Sequence, residues 1–190
     1  MISGNTWISD MRLKLSAQQL REGKLVAYPT EAVWGLGCDP LNPQAVSDLL
    51  ALKGRSASKG FILIAADFGQ LEPFLDIASE PMKNKLLASW PGPVTWIVPT
   101  APETPTWLRG DRNTLAVRVT AHPVASALCN AFGGAIVSTS ANPSGAKPAK
   151  TQLKARIYFP GVQLNFLPGS VGGLDRPTAI FDARNGTKLR

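Results

Sequence analysis

Residues 24–37, KLVAYPTEAVWGLG, decide the fold of this chain. Residues 24–28, apolar after the first lysine, predict a buried β-strand that stops at a proline. Thr30 and Glu31 then open a loop, so a hydroxyl and a carboxylate emerge where the first strand ends. The run 33–37 is apolar but broken by glycines, which indicates a backbone that passes close to another group. The stretch therefore predicts a buried strand followed by a loop that carries polar groups.

On both sides of this stretch the sequence alternates between helical and strand patterns. Helices are expected from a capping Ser16 to Gly23, from Pro43 to Gly54, after a capping box of Asp67 and Gln70, over 82–89, and from Pro123 to Gly133. Strands are expected over 61–66, 94–98, 115–120 and 135–139, with a C-terminal hairpin of 178–183 and 187–189 around Asn185 and Gly186. Because no repeat or linker interrupts this order, we expect one α/β domain of α+β type, residues 1–190, around a mixed sheet.

The length and composition are those of a globular protein. A chain of 190 residues can bury one substantial core, and its 44% hydrophobic and 17% charged residues are typical of a folded domain. The longest run without a polar residue, 61–66, is far shorter than the roughly 20 residues of a bilayer helix, and the N-terminus lacks an apolar signal-peptide core. We therefore expect a cytoplasmic protein with no membrane partner.

The charge of the chain favours an anionic partner. The formal net charge is +7 at pH 7. Such a bias attracts polyanions such as RNA, although positive charge of this size also serves solubility. Several of the cations flank segments rich in glycine, serine and proline, where they can serve ligands.

Familiar catalytic motifs are absent from the sequence. It contains no P-loop, no dinucleotide fingerprint and no G-x-S-x-G elbow. Cys38 and Cys129 are isolated, which excludes the zinc and C-x-x-C redox patterns and favours two small buried hydrophobes. The single histidine, His122, precedes Pro123 at a predicted helix entrance and is interpreted as structural. We therefore assign no residue as a general acid or base.

Two loop segments carry groups that an anionic ligand requires. Residues 53–60, KGRSASKG, place three cations, two hydroxyls and two glycines between a helix and a buried strand. Arginine and lysine side chains are the usual ligands of phosphate. Residues 138–145, STSANPSG, follow an apolar strand, and open α/β sheets bind ligands at the carboxyl ends of such strands. A solvated basic loop and an ordinary tight turn remain the alternatives for these two segments.

Arg118 lies inside an apolar strand, between Val117 and Val119. An arginine in this position either alternates out to solvent or points into a polar cleft, where it holds a carboxylate or a phosphate. The sequence leaves both alternatives open.

Together these segments resemble the YrdC/TsaC family. The resemblance rests on seven motifs in order from about residue 20 to the end of the chain: YPTE at 28–31, WGLG at 34–37, KGR at 53–55, PGPVT at 91–95, LAVR at 115–118, STSANPSG at 138–145 and PTAIFD at 177–182. It implies a twisted mixed β-sheet surrounded by helices, with a basic concave cleft.

The resemblance also implies an activity and its partners. Members of the family are threonylcarbamoyl-AMP synthases, nucleotidyltransferases that convert L-threonine, bicarbonate and ATP to threonylcarbamoyl-adenylate and pyrophosphate. The product serves the modification of the tRNA adenosine beside the anticodon, so tRNA and the other threonylcarbamoyl-modification proteins are implied partners. Sparse carboxylates at the expected site indicate that Mg²⁺ arrives with ATP rather than on protein ligands.

Site residues follow from the resemblance position by position. The nucleotide side is implied at Lys53, Arg55, Thr114, Ser140, Asn142 and Arg190. The threonine side is implied at Thr30, Lys59, Arg118 and Thr178. The chain departs from the family pattern at Ser56, Lys59 and Ala179. It also has the length of the short form, without the second domain of longer relatives.

Two other functions are compatible with the same charge. The first is a non-catalytic factor that binds double-stranded RNA or assists ribosome maturation, as some members of the family are labelled. The second is a carbamoyl-transfer module like the related domain of hydrogenase-maturation proteins, which the lack of accessory domains disfavours. Thr30, Arg118 and Ser140 near apolar strands favour a small-ligand site over an RNA surface.

Overall fold

A computed structural model describes residues 8–77 and 79–190 of the chain. The described residues form six α-helices: α1 Asp10–Arg21, α2 Pro43–Lys53, α3 Glu80–Ser89, α4 Thr106–Arg109, α5 Pro123–Phe132 and α6 Gln152–Tyr158. They also form eight strands: β1 Val26–Pro29, β2 Trp34–Gly37, β3 Ile62–Ala65, β4 Val94–Pro99, β5 Thr114–Val119, β6 Ile136–Ser140, β7 Asn165–Phe166 and β8 Ala179–Asp182. None of these helices has the length and apolarity that crossing a membrane requires.

The strands form one mixed sheet in the order β7-β1-β2-β6-β3-β5-β4-β8. The pairs β1–β7, β3–β5 and β4–β8 are parallel, and the other four pairs are antiparallel. The predicted single domain around a mixed sheet is therefore confirmed. The last two strands occupy opposite edges of the sheet, so the connection between them crosses from one edge to the other. We call residues 168–177 of this connection the strap.

Apolar residues fill both faces of the sheet. The larger core contains Trp34, Leu63 and Val117, and the smaller one contains Tyr28 and Ile64. Helices α1 and α5 pack on the face of the smaller core, since their buried residues belong to it. All four residues of β1 and of β2 are buried, which explains why their sequences are continuously apolar rather than alternating.

The glycines of β2 allow a close approach, as the sequence indicated. A Cβ on Gly37 would lie 2.6 Å from the carbonyl oxygen of Val137 and 2.9 Å from the ring of Tyr28. A Cβ on Gly35 would lie 3.2 Å from both Thr30 Cγ2 and the Tyr28 ring. The tyrosine therefore lies flat over β2, and Thr30 approaches the backbone of the same strand.

Local signals in the sequence correctly predicted both ends of α2. Asn42 Oδ1 accepts a hydrogen bond of 3.0 Å from the Ala45 amide, Pro43 occupies the first turn, and Gly54 ends the helix at φ 58°. These are the expected preferences at the two ends of a helix. The C-terminal turn is also confirmed, since Asp182 N–H donates to the carbonyl of Thr187 at 2.9 Å.

Two local expectations were wrong. Ser16 does not cap a helix, because α1 begins six residues earlier at Asp10 and Ser16 Oγ donates to the Arg12 carbonyl at 2.8 Å from within the helix. The Asp67 carboxylate accepts from the Gln70 amide at 3.1 Å, but only a 3₁₀ turn, Glu72–Phe74, follows it. The sequence also missed α4, α6, the two-residue β7 and the strand β2, whose residues it described only as an apolar stretch broken by glycines. The expectation about an N-terminal signal peptide concerns in part residues 1–7, outside the described ones.

Candidate functional site

The sheet carries a cavity of about 190 Å³ on the face of the smaller core. Cross-strand partners share a face, and the register pairs Ile64 with Arg118, Ile62 with Ser138 and Gly35 with Ser140. The cavity therefore occupies the part of that face which α1 and α5 leave uncovered. Its polar wall contains Ser138, Thr139 and six of the ten residues that the sequence singled out: Thr30, Arg55, Arg118, Ser140, Thr178 and Arg190.

Arg118 points into the cavity rather than into solvent, although it is only 5% exposed. Its Nη1 donates hydrogen bonds of 2.9 Å to Thr178 Oγ1 and 3.3 Å to Thr95 Oγ1. Its Nη2 lies 3.2 Å from Glu31 Oε2, in an ion pair that is almost completely buried. The sequence left two positions open for Arg118, and in the structure its side chain lies in the polar cleft rather than in solvent.

Hydrogen bonds within the loop and from the strap hold Thr30 and Glu31 in place. Thr30 Oγ1 donates to the Val33 carbonyl at 2.7 Å, which closes the loop between β1 and β2. From the strap, Gly172 N–H donates to the Thr30 carbonyl at 3.0 Å and Leu174 N–H to the Glu31 carbonyl at 3.1 Å. The loop is therefore fixed from the strand side and from the strap side.

Arg55 and Arg190 complete the cationic wall. Arg55 Nη2 donates to the Gly60 carbonyl at 3.0 Å, and Arg190 Nη2 donates to the Thr178 carbonyl at 3.1 Å. Burial lowers the pKa of Arg55, and burial together with the nearby Arg118 lowers the pKa of Arg190. Among the described residues that line the cavity none is acidic. Three guanidinium groups without a carboxylate in the same wall favour the binding of an anion.

Lys53 and Asn142 lie behind the wall of the cavity. Lys53 Nζ donates to the carbonyls of Ser140 and of Asn142, the latter at 2.7 Å. Burial, with a smaller contribution from Arg55, lowers the pKa of Lys53 to about 8. Asn142 Nδ2 donates to the carbonyls of Pro143 and Ala146 at 2.9 and 2.8 Å. Both side chains shape the loop after β6, and their contact with a nucleotide stays a prediction.

Thr114 and Lys59 are also outside the wall of the cavity. Thr114 is the first residue of β5, and Lys59 is an exposed residue at the end of a 3₁₀ turn, Ala57–Lys59. The carbonyl of Lys59 accepts from Arg112 Nη1 at 3.4 Å. Their roles toward ATP and threonine likewise stay predictions.

Sequence reasoning gave no role to several residues that build the site. Phe61, Pro148 and Pro177 form apolar parts of the wall. Pro177 begins one of the seven motifs, whereas nothing local in the sequence distinguishes Phe61 and Pro148 from core or turn residues. His122 is buried, and its Nε2 lies 3.0 Å from the carbonyl of Ser170 in the strap. Burial lowers the pKa of His122 despite this hydrogen bond. The histidine therefore fastens the strap, which agrees with a structural role.

The donor set of the site does not suit a resident metal ion. Within residues 8–77 and 79–190, no group of three or more His, Cys, Asp and Glu side chains is placed to hold one. Arginines and hydroxyls are poor ligands for Mg²⁺, which prefers carboxylates and phosphates. A divalent ion at this site would therefore depend on oxygen atoms of a ligand.

The chain is thus an α+β domain with a cavity whose wall contains three arginines. The chain belongs to the Sua5/YciO/YrdC family, whose model, described as "Telomere recombination", matches residues 18–189. The threonylcarbamoyl-AMP synthase of Methylococcus capsulatus is 59% identical over 184 residues, which cover 97% of this chain and 99% of that protein. The protein of the same name from Halorhodospira halophila is 56% identical over 180 residues and 94% of each chain. The resemblance seen in the sequence is therefore confirmed.

Solved structures support the same family. P. abyssi Sua5 complexed with L-threonine is 31% identical, with a TM-score of 0.88 over 96% of this chain. This chain spans only 54% of the P. abyssi chain. E. coli YciO, at 23% identity and a TM-score of 0.77 over 92% of this chain, shares the fold.

Proposed function

We propose that this chain is a threonylcarbamoyl-AMP synthase, an enzyme that forms threonylcarbamoyl-adenylate and pyrophosphate from L-threonine, bicarbonate and ATP. The observation that carries the proposal is the convergence of Arg55, Arg118 and Arg190 on one cavity in a chain that is 59% identical to a synthase of this name. ATP and both products carry phosphate groups, bicarbonate is an anion and threonine carries a carboxylate, and such a wall suits all of these groups.

We assign the threonine side of the site to Arg118, Thr30 and Thr178. Arg118 is the buried cation of the cavity and can hold the carboxylate of the amino acid. The hydroxyl groups of Thr30 and Thr178 flank it in the same wall. The complex of P. abyssi Sua5 with L-threonine supports a threonine site in this fold.

We assign the nucleotide side to Arg55, Ser140 and Arg190. The cavity is smaller than the roughly 300–1,000 Å³ of pockets for drug-sized ligands, so the enclosed part suits the amino acid and ATP extends across its open side. Arg55 and Ser140 lie toward the loops after α2 and β6, where glycines leave the backbone accessible. In this assignment Lys53 and Asn142 act by holding the Ser140 loop in place.

The proposed reaction is nucleotidyl transfer. The amine of threonine combines with bicarbonate to give a carbamate and water, and a carbamate oxygen then attacks the α-phosphorus of ATP as pyrophosphate leaves. The protein aligns an anionic nucleophile with a polyanionic electrophile and neutralises their charge, which needs arginines and hydroxyls rather than a catalytic histidine. Mg²⁺ bound to ATP would supply further neutralisation of the phosphate oxygens.

The product implies the partners of the enzyme. A mixed anhydride of a carbamate and AMP is reactive, so it must pass to a protein that transfers the threonylcarbamoyl group to tRNA. We therefore propose tRNA and the other threonylcarbamoyl-modification proteins as partners, in the cytoplasm. The positive charge of the chain is compatible with contact to RNA.

The test is pyrophosphate release by the purified protein with ATP, Mg²⁺ and bicarbonate. We expect release that depends on L-threonine, and that is much slower with L-serine or without an amino acid. Release at the same rate without an amino acid would contradict the synthase activity, and no release at all together with salt-sensitive binding of double-stranded RNA would favour the non-catalytic RNA-binding factor.

A further inference from the structure

Glu31 is a buried carboxylate, with 7% of its surface exposed. A charged group in this position requires compensating partners, because its removal from water is costly. Glu31 Oε1 accepts a hydrogen bond of 2.6 Å from Thr120 Oγ1, and Oε2 lies 3.2 Å from Arg118 Nη2. Its two oxygens thus face two different partners, and neither faces the cavity wall.

The hydroxyl of Thr120 has a fixed direction. The backbone N–H of His122 donates to Thr120 Oγ1 at 3.2 Å, so that oxygen acts as an acceptor on one side. Its own proton is therefore directed to Glu31. The hydrogen bond from the His122 amide to Thr120 and the one from Thr120 to Glu31 therefore orient the carboxylate that contacts Arg118.

The guanidinium of Arg118 is held from two sides. Nη1 is held by the hydroxyls of Thr178 and Thr95, and Nη2 by the charge of Glu31. The contact with Glu31 is an ion pair without the geometry of a directed hydrogen bond, since Oε2 has no hydrogen-bond partner. Arg118 Nε, on the same edge as Nη2, is buried without a partner. The guanidinium is therefore held in one orientation in the wall of the cavity, by hydroxyls on one side and by a charge on the other.

The backbone of Glu31 is as firmly placed as its side chain. The strap donates to the carbonyls of Thr30 and Glu31, and it approaches so closely that a Cβ on Gly172 would lie 3.0 Å from the Glu31 carbonyl oxygen. A residue that orients a binding group has to be held by its own surroundings in this way.

We infer that Glu31 is a positioning residue, which fixes the Arg118 guanidinium in the wall of the cavity in the orientation that receives the carboxylate of the amino-acid substrate. The inference rests on the proposed function. Glu31 does not touch the substrate, because its carboxylate contacts Thr120 and Arg118 outside the wall of the cavity. It acts through Arg118 by orienting the guanidinium and partly balancing its charge.

The experiment is steady-state pyrophosphate release by Glu31→Gln, which keeps the shape of the side chain and removes its charge. We expect the KM for L-threonine to rise about tenfold, the effect of losing one charge-assisted contact, while the KM for ATP stays within about twofold of wild type. The same substitution at an exposed glutamate, Glu103→Gln, should leave both values unchanged.

A double-mutant cycle separates positioning from simple structural support. If Glu31 acts through Arg118, Glu31→Gln should add little to the loss already caused by Arg118→Lys, whereas independent effects multiply. Multiplied effects, or an unchanged KM for threonine in a folded Glu31→Gln protein, would overturn the inference. A wild-type protein that releases no pyrophosphate would instead contradict the proposed function.

Thr120→Val provides a second test if Glu31→Gln fails to fold. It removes only the hydroxyl that orients Glu31 and keeps the ion pair with Arg118, so we expect a smaller rise, about threefold, in the KM for L-threonine. Calorimetric titration of L-threonine should show the same weakening without turnover. A KM and affinity equal to those of wild type would contradict the role of the Thr120–Glu31–Arg118 chain.

Discussion

Lys53 Nζ donates a hydrogen bond of 2.7 Å to the carbonyl oxygen of Asn142, far along the chain in the loop after β6. Two residues later Arg55 lines the cavity. The two cations have different surroundings, and Gly54, between them, ends α2 in a left-handed conformation at φ 58°. The lysine and the arginine of this short motif therefore have different roles, and we expect their substitutions to have different effects.

Lys53→Met should reduce stability. It leaves the buried carbonyls of Ser140 and Asn142 without their donor, which costs about 1–3 kcal/mol for an unsatisfied group. Thermal unfolding would measure the loss, with Lys147→Met at an exposed lysine as control. A variant of normal stability with a raised KM for ATP would show instead that Lys53 contacts the nucleotide directly.

Arg55→Ala and Ser140→Ala should abolish adenylate formation and leave the fold intact. Both side chains line the cavity, and we expect a loss of about a hundredfold or more when a group that stabilises transferring phosphate is removed. Pyrophosphate release and the melting temperature would be compared with those of Arg12→Ala and Ser47→Ala, which alter exposed residues. Wild-type rates in both variants would disprove the nucleotide assignment.

Gly172→Ala should loosen the strap. Its Cβ would lie 3.0 Å from the carbonyl oxygen and 3.1 Å from Cα of Glu31, so the strap must shift away from the loop that carries this residue. We expect a loss of about 1 kcal/mol and a fall in melting temperature of about 3 °C, with a raised KM for threonine.

The matched control for this substitution is Gly134→Ala. At that position the nearest atom to the added Cβ is 3.9 Å away, in the ring of Phe132, so no shift is required. Equal melting temperatures and equal KM values for the two alanine variants would show that the strap tolerates a methyl group beside Glu31.

The stability of the wild-type protein should fall at acid pH through His122. Burial holds the pKa of this histidine below its ordinary value of 6.5, so the unfolded chain binds more protons as the pH falls below about 6.5. Its contribution to stability is therefore present above that pH and is lost below it. Protonation would also place a second N–H at Nδ1, which is buried without a partner.

The measurement is the melting temperature between pH 7 and pH 5 for wild type and for His122→Gln. Glutamine retains an amide N–H in place of Nε2 and does not titrate in this range. We expect the wild type to lose more stability than the variant as the pH falls. Parallel curves for the two proteins would show that His122 does not contribute.

Local signals in the sequence determined the elements that have strong local causes. Asn42, Pro43 and Gly54 place α2 by capping and backbone preference, and the continuous apolar runs of β1 and β3 indicate strands buried on both faces. The ordered motifs also identified the family, because each one specifies backbone shape or ligand chemistry that a single short segment can encode.

Only the tertiary structure decided which of the polar groups meet. The fold brings Glu31, in the loop after β1, to Arg118 and Thr120 at the end of β5. The pairing of β3 with β5 and of β2 with β6 turns Arg118 and Ser140 to the same face. No local preference distinguishes Lys53, which turns inward to backbone carbonyls, from Arg55, which faces the cavity. Contacts between distant segments depend on the register of the whole sheet, and for that reason the sequence predicted the members of the site better than their individual roles.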